Sequence, residues 1–103
     1  MDSLPIRLHP SAAIDVEKGR AWYEERNPIV ADAFLAEVDR AMAVIAEAPD
    51  RWPHRYGRFR YYVLPDFPYT IFYLDLPHVV HVIAVAADRR KPGYWKRRSP
   101  RAE

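Results

Sequence analysis

VVHVIAVAADRRKPGYWKRR, residues 79–98, is the stretch on which the fold turns. Its first nine residues are apolar at every position except His81, so no polar face alternates with an apolar one. A strand of that kind is buried on both sides and belongs in the interior of a sheet. The residues after it, 88–98, hold six Lys/Arg together with Tyr94 and Trp95. The stretch therefore predicts a central strand that runs straight into a basic, aromatic segment. Two questions follow: what covers each face of that strand, and what the cations meet.

Moving upstream, Leu76-Pro77-His78 reads as a turn and TIFYLDL (70–76) as the preceding strand. Pro65-Asp66-Phe67-Pro68 reverses the chain again, with residue types suited to turns. In RFRYYVL (58–64), Arg58, Arg60, Tyr62 and Leu64 share one side, and Phe59, Tyr61 and Val63 the other. APDRWPHRYG (48–57) carries two prolines and reads as turn material. Before it the period changes from two to between three and four. Phe34, Val38, Ala41 and Ile45 form one apolar stripe with Leu35 and Met42 beside it, while Glu37, Asp39, Arg40 and Glu47 are assigned to the outside.

This helix is bounded by Asn27, a capping residue followed by Pro28 at the first helical position, and by Pro49. An earlier helix opens at Pro10, with Ser11 or His9 as its cap, and runs to about Arg26. Leu4, Ile6 and Leu8 alternate with polar or proline positions as a short first strand. The element order is β-α-α-β-β-β. Two helices with so short a linker form a hairpin over one face of the sheet, which leaves the other face to be covered by something else.

Composition narrows the function classes. At 103 residues the chain is one domain; half its residues are apolar and 14% aromatic, enough for one core. No cysteine is present, which excludes disulfides and thiolate metal sites. None of the four histidines stands in a metal-ligand spacing with acidic residues, so neither a metal nor a cofactor is expected. No apolar run reaches membrane-spanning length, and MDSLPIRLHP lacks the order of a secretory signal. A cytoplasmic protein is the expectation. The net charge of +2 conceals a division: residues 1–50 hold five Lys/Arg against ten Asp/Glu, and residues 51–103 hold eleven against four. One basic surface on a nearly neutral protein suggests an anionic partner for that surface alone.

Taken together, the β-α-α-β-β-β order, WYEERNP (22–28), FLAEVDRAMAVIAEAPDRWP (34–53), FPYTIFY (67–73) and VIAVAADRRKPGYWKRR (82–98) resemble the RelE/ParE superfamily of type II toxin–antitoxin toxins, often described as plasmid stabilisation proteins. The resemblance runs from about Ile6 to Arg98. It implies an α+β fold, with the helix hairpin on one face of a small twisted, mostly antiparallel sheet and a concave basic groove on the other. It makes residues 1–98 one toxin domain, with 99–103 a disordered tail. It also implies a cognate antitoxin whose acidic tail folds over the toxin and supplies the missing cover for the doubly apolar strand. Operator DNA would be reached only through that antitoxin.

The superfamily divides by target. RelE-like members cut messenger RNA on the ribosome, which requires a proton acceptor, a proton donor and cations for the phosphate. ParE-like members share the fold without that set and poison DNA gyrase. Here Arg58, Arg60, Arg89, Arg90 and Lys91 are the candidates for binding a target or a phosphate, and Arg89, Arg90 and Tyr94 would be catalytic only in a nuclease. The arginine that RelE-like toxins carry on the FPYTIFY strand falls near Thr70, a common histidine falls at Ala87, and the tyrosine of some members falls near Trp95, with Tyr94 one residue earlier. Indole cannot accept a proton at neutral pH. This gapped set favours the ParE-like reading. A ribosome-dependent endoribonuclease and a non-toxic antitoxin-binding relative are the alternatives. Other roles for the same residues are structural: Arg58 and Arg60 as solvated strand charges, His81 as a hydrogen-bonded sheet residue, Tyr94 and Trp95 as a clamp, and residues 96–98 as solvated tail.

Overall fold

The computed structural model describes residues 3–98; the expected tail at 99–103 lies outside them. Two proline-started helices come first after a short strand. His9 Nδ1 accepts the Ser11 amide at 3.0 Å and Pro10 occupies the first turn of α1 (Pro10–Glu24). Asn27 Oδ1 accepts the Ile29 amide at 3.0 Å and Pro28 begins α2 (Pro28–Glu47). In both cases the capping side chain satisfies an amide that has no partner within the helix, and proline lacks the donor that would be stranded there.

Four strands, β1 (Ile6–Leu8), β2 (Arg60–Val63), β3 (Tyr69–Asp75) and β4 (Val80–Ala87), lie in the order β1-β4-β3-β2. β1 runs parallel to β4 and the other pairs are antiparallel. β4 is therefore interior, as its apolar run requires. The first strand is shorter than its alternation predicts, because the Leu4 amide turns aside to the Ala46 carbonyl at the end of α2.

Register shifts between Phe72 and Tyr73: Phe72 faces Ala84 but Tyr73 faces Val82, so Ile83 is an extra residue on β4. Such a bulge reverses the alternation beyond it. Val80 and Val82 point to the helices before it, and Val85 packs in the same core after it, while Ile83, Ala84 and Ala86 join the opposite cluster.

On the helix side, Phe34, Val38, Ala41 and Ile45 are buried as the stripe predicts. Phe34 sits among Tyr69 at 4.9 Å, Phe67 at 5.4 Å and Tyr23 at 5.4 Å between ring centres. α1 comes so close that a Cβ on Gly19 would stand 2.8 Å from the Phe34 ring. One assignment is corrected here. Glu37 is buried rather than outside, and its carboxylate accepts the Asp66 amide at 2.7 Å, tying α2 to the β2–β3 turn.

The opposite face corrects a second expectation. Its cover is the chain's own segment after β4, not a surface left open for a partner. Gly93, at φ 73°, turns the chain back, and Trp95, 1% exposed, packs 4.3 Å from Phe72 and 4.8 Å from Phe59. Burying an indole there removes more apolar surface from water than any smaller side chain could. Arg98, expected in solvated tail, forms two bonds to Asp15 of α1 at 2.7 and 3.0 Å and one to the Ile83 carbonyl. β1 is too short to accompany the whole of β4. Asp15, which also accepts the Val85 amide, and Arg98 satisfy the strand where β1 has ended.

Candidate functional site

The segment that leaves β4 builds two concavities, separated by a stack in which the Arg90 guanidinium lies 3.9 Å over the Tyr94 ring. On the sheet side is a hollow of about 320 Å³ whose walls include Arg55, Tyr56, Thr70, Asp88, Arg90 and Lys91. On the helix side is a groove of about 190 Å³ between α1 and the segment, formed by Lys18, Gly19, Trp22, Tyr69, Arg89, Arg90 and Tyr94 among others.

The candidate residues separate accordingly. Arg90 and Tyr94 face both concavities, Lys91 faces the hollow and Arg89 the groove. Arg89 turns toward α1, where its guanidinium lies 5.5 Å from the centre of the Trp22 ring. Arg58 and Arg60 do not join them. β2 begins only at Arg60, and Arg58 lies exposed in the turn where Tyr56 and Gly57 take positive φ. Arg60 points to the helix side and is half-buried, donating to the Trp52 carbonyl at 2.6 Å and pairing with Asp75 at 3.3 Å. Its two partners hold it in the frame. The two arginines therefore do not converge on one region.

Tyr94 is half-buried, and burial is the main reason its phenol lies above the ordinary tyrosine range. Asp15 pushes it the same way, with Arg90 and Arg98 opposing. The hydroxyl therefore holds its proton more firmly than an ordinary tyrosine does. Burial likewise raises the Tyr69 phenol, against the pull of Arg89.

In the hollow, the Thr70 hydroxyl donates to Asp88 at 2.9 Å, so the position where an RNA-cleaving relative would carry a cation holds a neutral side chain bonded to a carboxylate. That carboxylate would repel an incoming phosphate. Neither concavity is lined by histidine. His9 and His81 are buried elsewhere, stacked with ring centres 6.2 Å apart. The arrangement can bind an acidic or aromatic ligand through its cations and rings. Its two carboxylates are both engaged: Asp88 in the hollow accepts the Thr70 hydroxyl, and Asp15 in the groove is paired with Arg98.

Sequence reasoning overlooked Trp22, Lys18, Asp15 and Arg55. Trp22 had a signal: a large aromatic in PSAAIDVEKGRAWYE, a helix made mostly of small and charged residues. Asp15 had none, because its partners Val85 and Arg98 are distant in the chain. Among the described residues, no group of three or more His, Asp or Glu is placed to hold a metal, and no helix is long and apolar enough to cross a membrane.

Comparison with known proteins adds a family. A sequence model described as the ParE toxin of the type II toxin–antitoxin system parDE matches residues 6–92. A solved structure described as the chromosomal ParDE toxin–antitoxin system from P. aeruginosa superposes with a TM-score of 0.74 at 11% identity, over 82% of this chain and 96% of that one. At that identity the likeness is one of fold. No curated protein sequence matches the chain.

Proposed function

Because the chain belongs to the ParE toxin family of type II toxin–antitoxin systems, we propose that it is held inactive by a cognate antitoxin and acts by binding DNA gyrase. The observation that carries the choice of target is the Thr70–Asp88 bond in the hollow. Phosphodiester cleavage needs a base for the 2′-hydroxyl and concentrated positive charge. Here the cations are dispersed, one position is neutral, and the nearest carboxylate is tied to a hydroxyl. A surface of Arg89 and Arg90, set against the Trp22 and Tyr94 rings with Lys91 next in the chain, suits recognition rather than chemistry. The protein would work in the cytoplasm, where gyrase is found, and would meet operator DNA only through its antitoxin.

The test pairs two assays on the purified protein: inhibition of gyrase supercoiling, and cleavage of ribosome-bound transcript. Supercoiling inhibition without cleavage is expected, and Arg89→Ala with Arg90→Ala should abolish it while leaving the fold intact. Cleavage with intact supercoiling would establish the endoribonuclease. Inactivity in both assays, with antitoxin binding retained, would mark a non-toxic relative.

A further inference from the structure

We propose that the groove between α1 and the segment after β4, rather than the sheet-side hollow, seats the acidic tail of the antitoxin; the assignment rests on the partnership proposed above. Charge is the first argument. Lys18, Arg89 and Arg90 line the groove with no carboxylate partner among the described residues, and its one carboxylate, Asp15, already accepts two bonds from Arg98 and one from the Val85 amide. The hollow instead retains Asp88, an exposed acid that accepts only the Thr70 hydroxyl among its described hydrogen bonds. Each concavity is lined by three cations, so what separates them is the carboxylate: in the groove it is already neutralised by Arg98, and in the hollow an acidic chain meets it as a like charge.

Shape is the second argument. Ile14 is 53% exposed and Trp22 38% exposed, with Lys18 four residues from each on the same helix. That ridge of apolar, cationic and apolar side chains complements a helix with carboxylates among its apolar positions. The third argument is that the donors are already placed. Arg90 is stacked 3.9 Å over Tyr94 and Arg89 lies 5.5 Å from the Trp22 ring centre, a ring that Arg26 covers from 3.5 Å, so part of the side-chain freedom is already lost before binding. Because Arg90 faces both concavities, an occupant of the groove also withdraws Arg90 from the target. That would make neutralisation a direct cover of the charges the toxin uses.

The test is the affinity for the purified cognate antitoxin, measured by calorimetry on wild type and two charge-matched variants. Lys18→Glu with Arg89→Glu should weaken binding by about 100-fold or more, the scale of reversing close interfacial charges. Arg55→Glu with Lys96→Glu, whose side chains lie over Tyr56 away from the groove, should change it by less than about threefold. Should the first variant not fold, Lys18→Gln with Arg89→Gln replaces it, with about a tenfold loss expected. Equal losses in both variants, or a loss confined to the second, would overturn the groove assignment and leave the partnership standing. Absence of binding by the wild type would refute the partnership and the groove together.

Discussion

On one face of the sheet two helices bury a four-ring cluster of Tyr23, Phe34, Phe67 and Tyr69; on the other, residues 89–98 bring one indole and one guanidinium to a cover that Tyr56 and Phe59 complete. The first cover is broad and apolar. The second is narrow and carries the cations, so the segment that closes the core also shapes both concavities. An apolar strand pattern establishes that a face is covered but not by what. Here the sparing cover is the one that carries the cations, and its stability and the shape of both concavities depend on the same few contacts.

Truncating the anchor of each cover distinguishes them most sharply. Phe34→Ala and Trp95→Ala should each cost about 3–5 kcal/mol in urea unfolding, as large aromatic truncations in a core do. Amide hydrogen exchange should then separate them, with Phe34→Ala lowering protection throughout and Trp95→Ala lowering it first in residues 89–98. Uniform loss in both would show that the two covers form one cooperative unit.

Gly19→Ala comes next. Alanine gains about 1 kcal/mol in helix propensity, yet its Cβ would stand 2.8 Å from a fully buried ring with no room to retreat. We expect a net loss of about 1–3 kcal/mol, the cost of overpacking. A stabilised variant would mean that α1 can move away from α2.

Arg98→Ala should cost about 2 kcal/mol, between the values for exposed and buried pairs, because the Arg98 and Asp15 side chains are 17% and 9% exposed. Antitoxin affinity should fall with it, since Asp15 would become a free carboxylate in the groove. Unchanged affinity would separate the clamp from the binding surface.

The smallest effect is alkaline. Burial raises the phenols of Tyr69 and Tyr73 on the helix side and of Tyr94 on the other. The folded state therefore keeps protons that the unfolded chain releases near pH 10. Stability is fully present below that pH and is lost as pH rises toward the folded values. Urea midpoints between about pH 8 and 11 should fall, and Tyr73→Phe should flatten the slope.

Much of this was legible in the sequence. The four-three-four spacing from Phe34 to Ile45, the caps before Pro10 and Pro28, and the doubly apolar β4 all follow from local chemistry. What escaped was non-local. Nothing within α2 tells that Glu37 must accept an amide from a turn 29 residues away, and the alternation around Arg60 cannot say which side of the sheet bears the helices. The cations after β4 were legible as a class, but their division between groove and hollow depends on which ring each one stacks against.

The pairing of β1 with β4 has a kinetic consequence. Ile6 meets Val80 and Asp15 meets Arg98, so the first strand has no ladder partner, and Asp15 of the first helix no cation, until residues 80–98 have been synthesised. Contacts this distant in sequence slow folding and keep a partial chain from closing. The hollow and the groove, both walled by residues that follow β4, therefore take shape only after those residues have emerged.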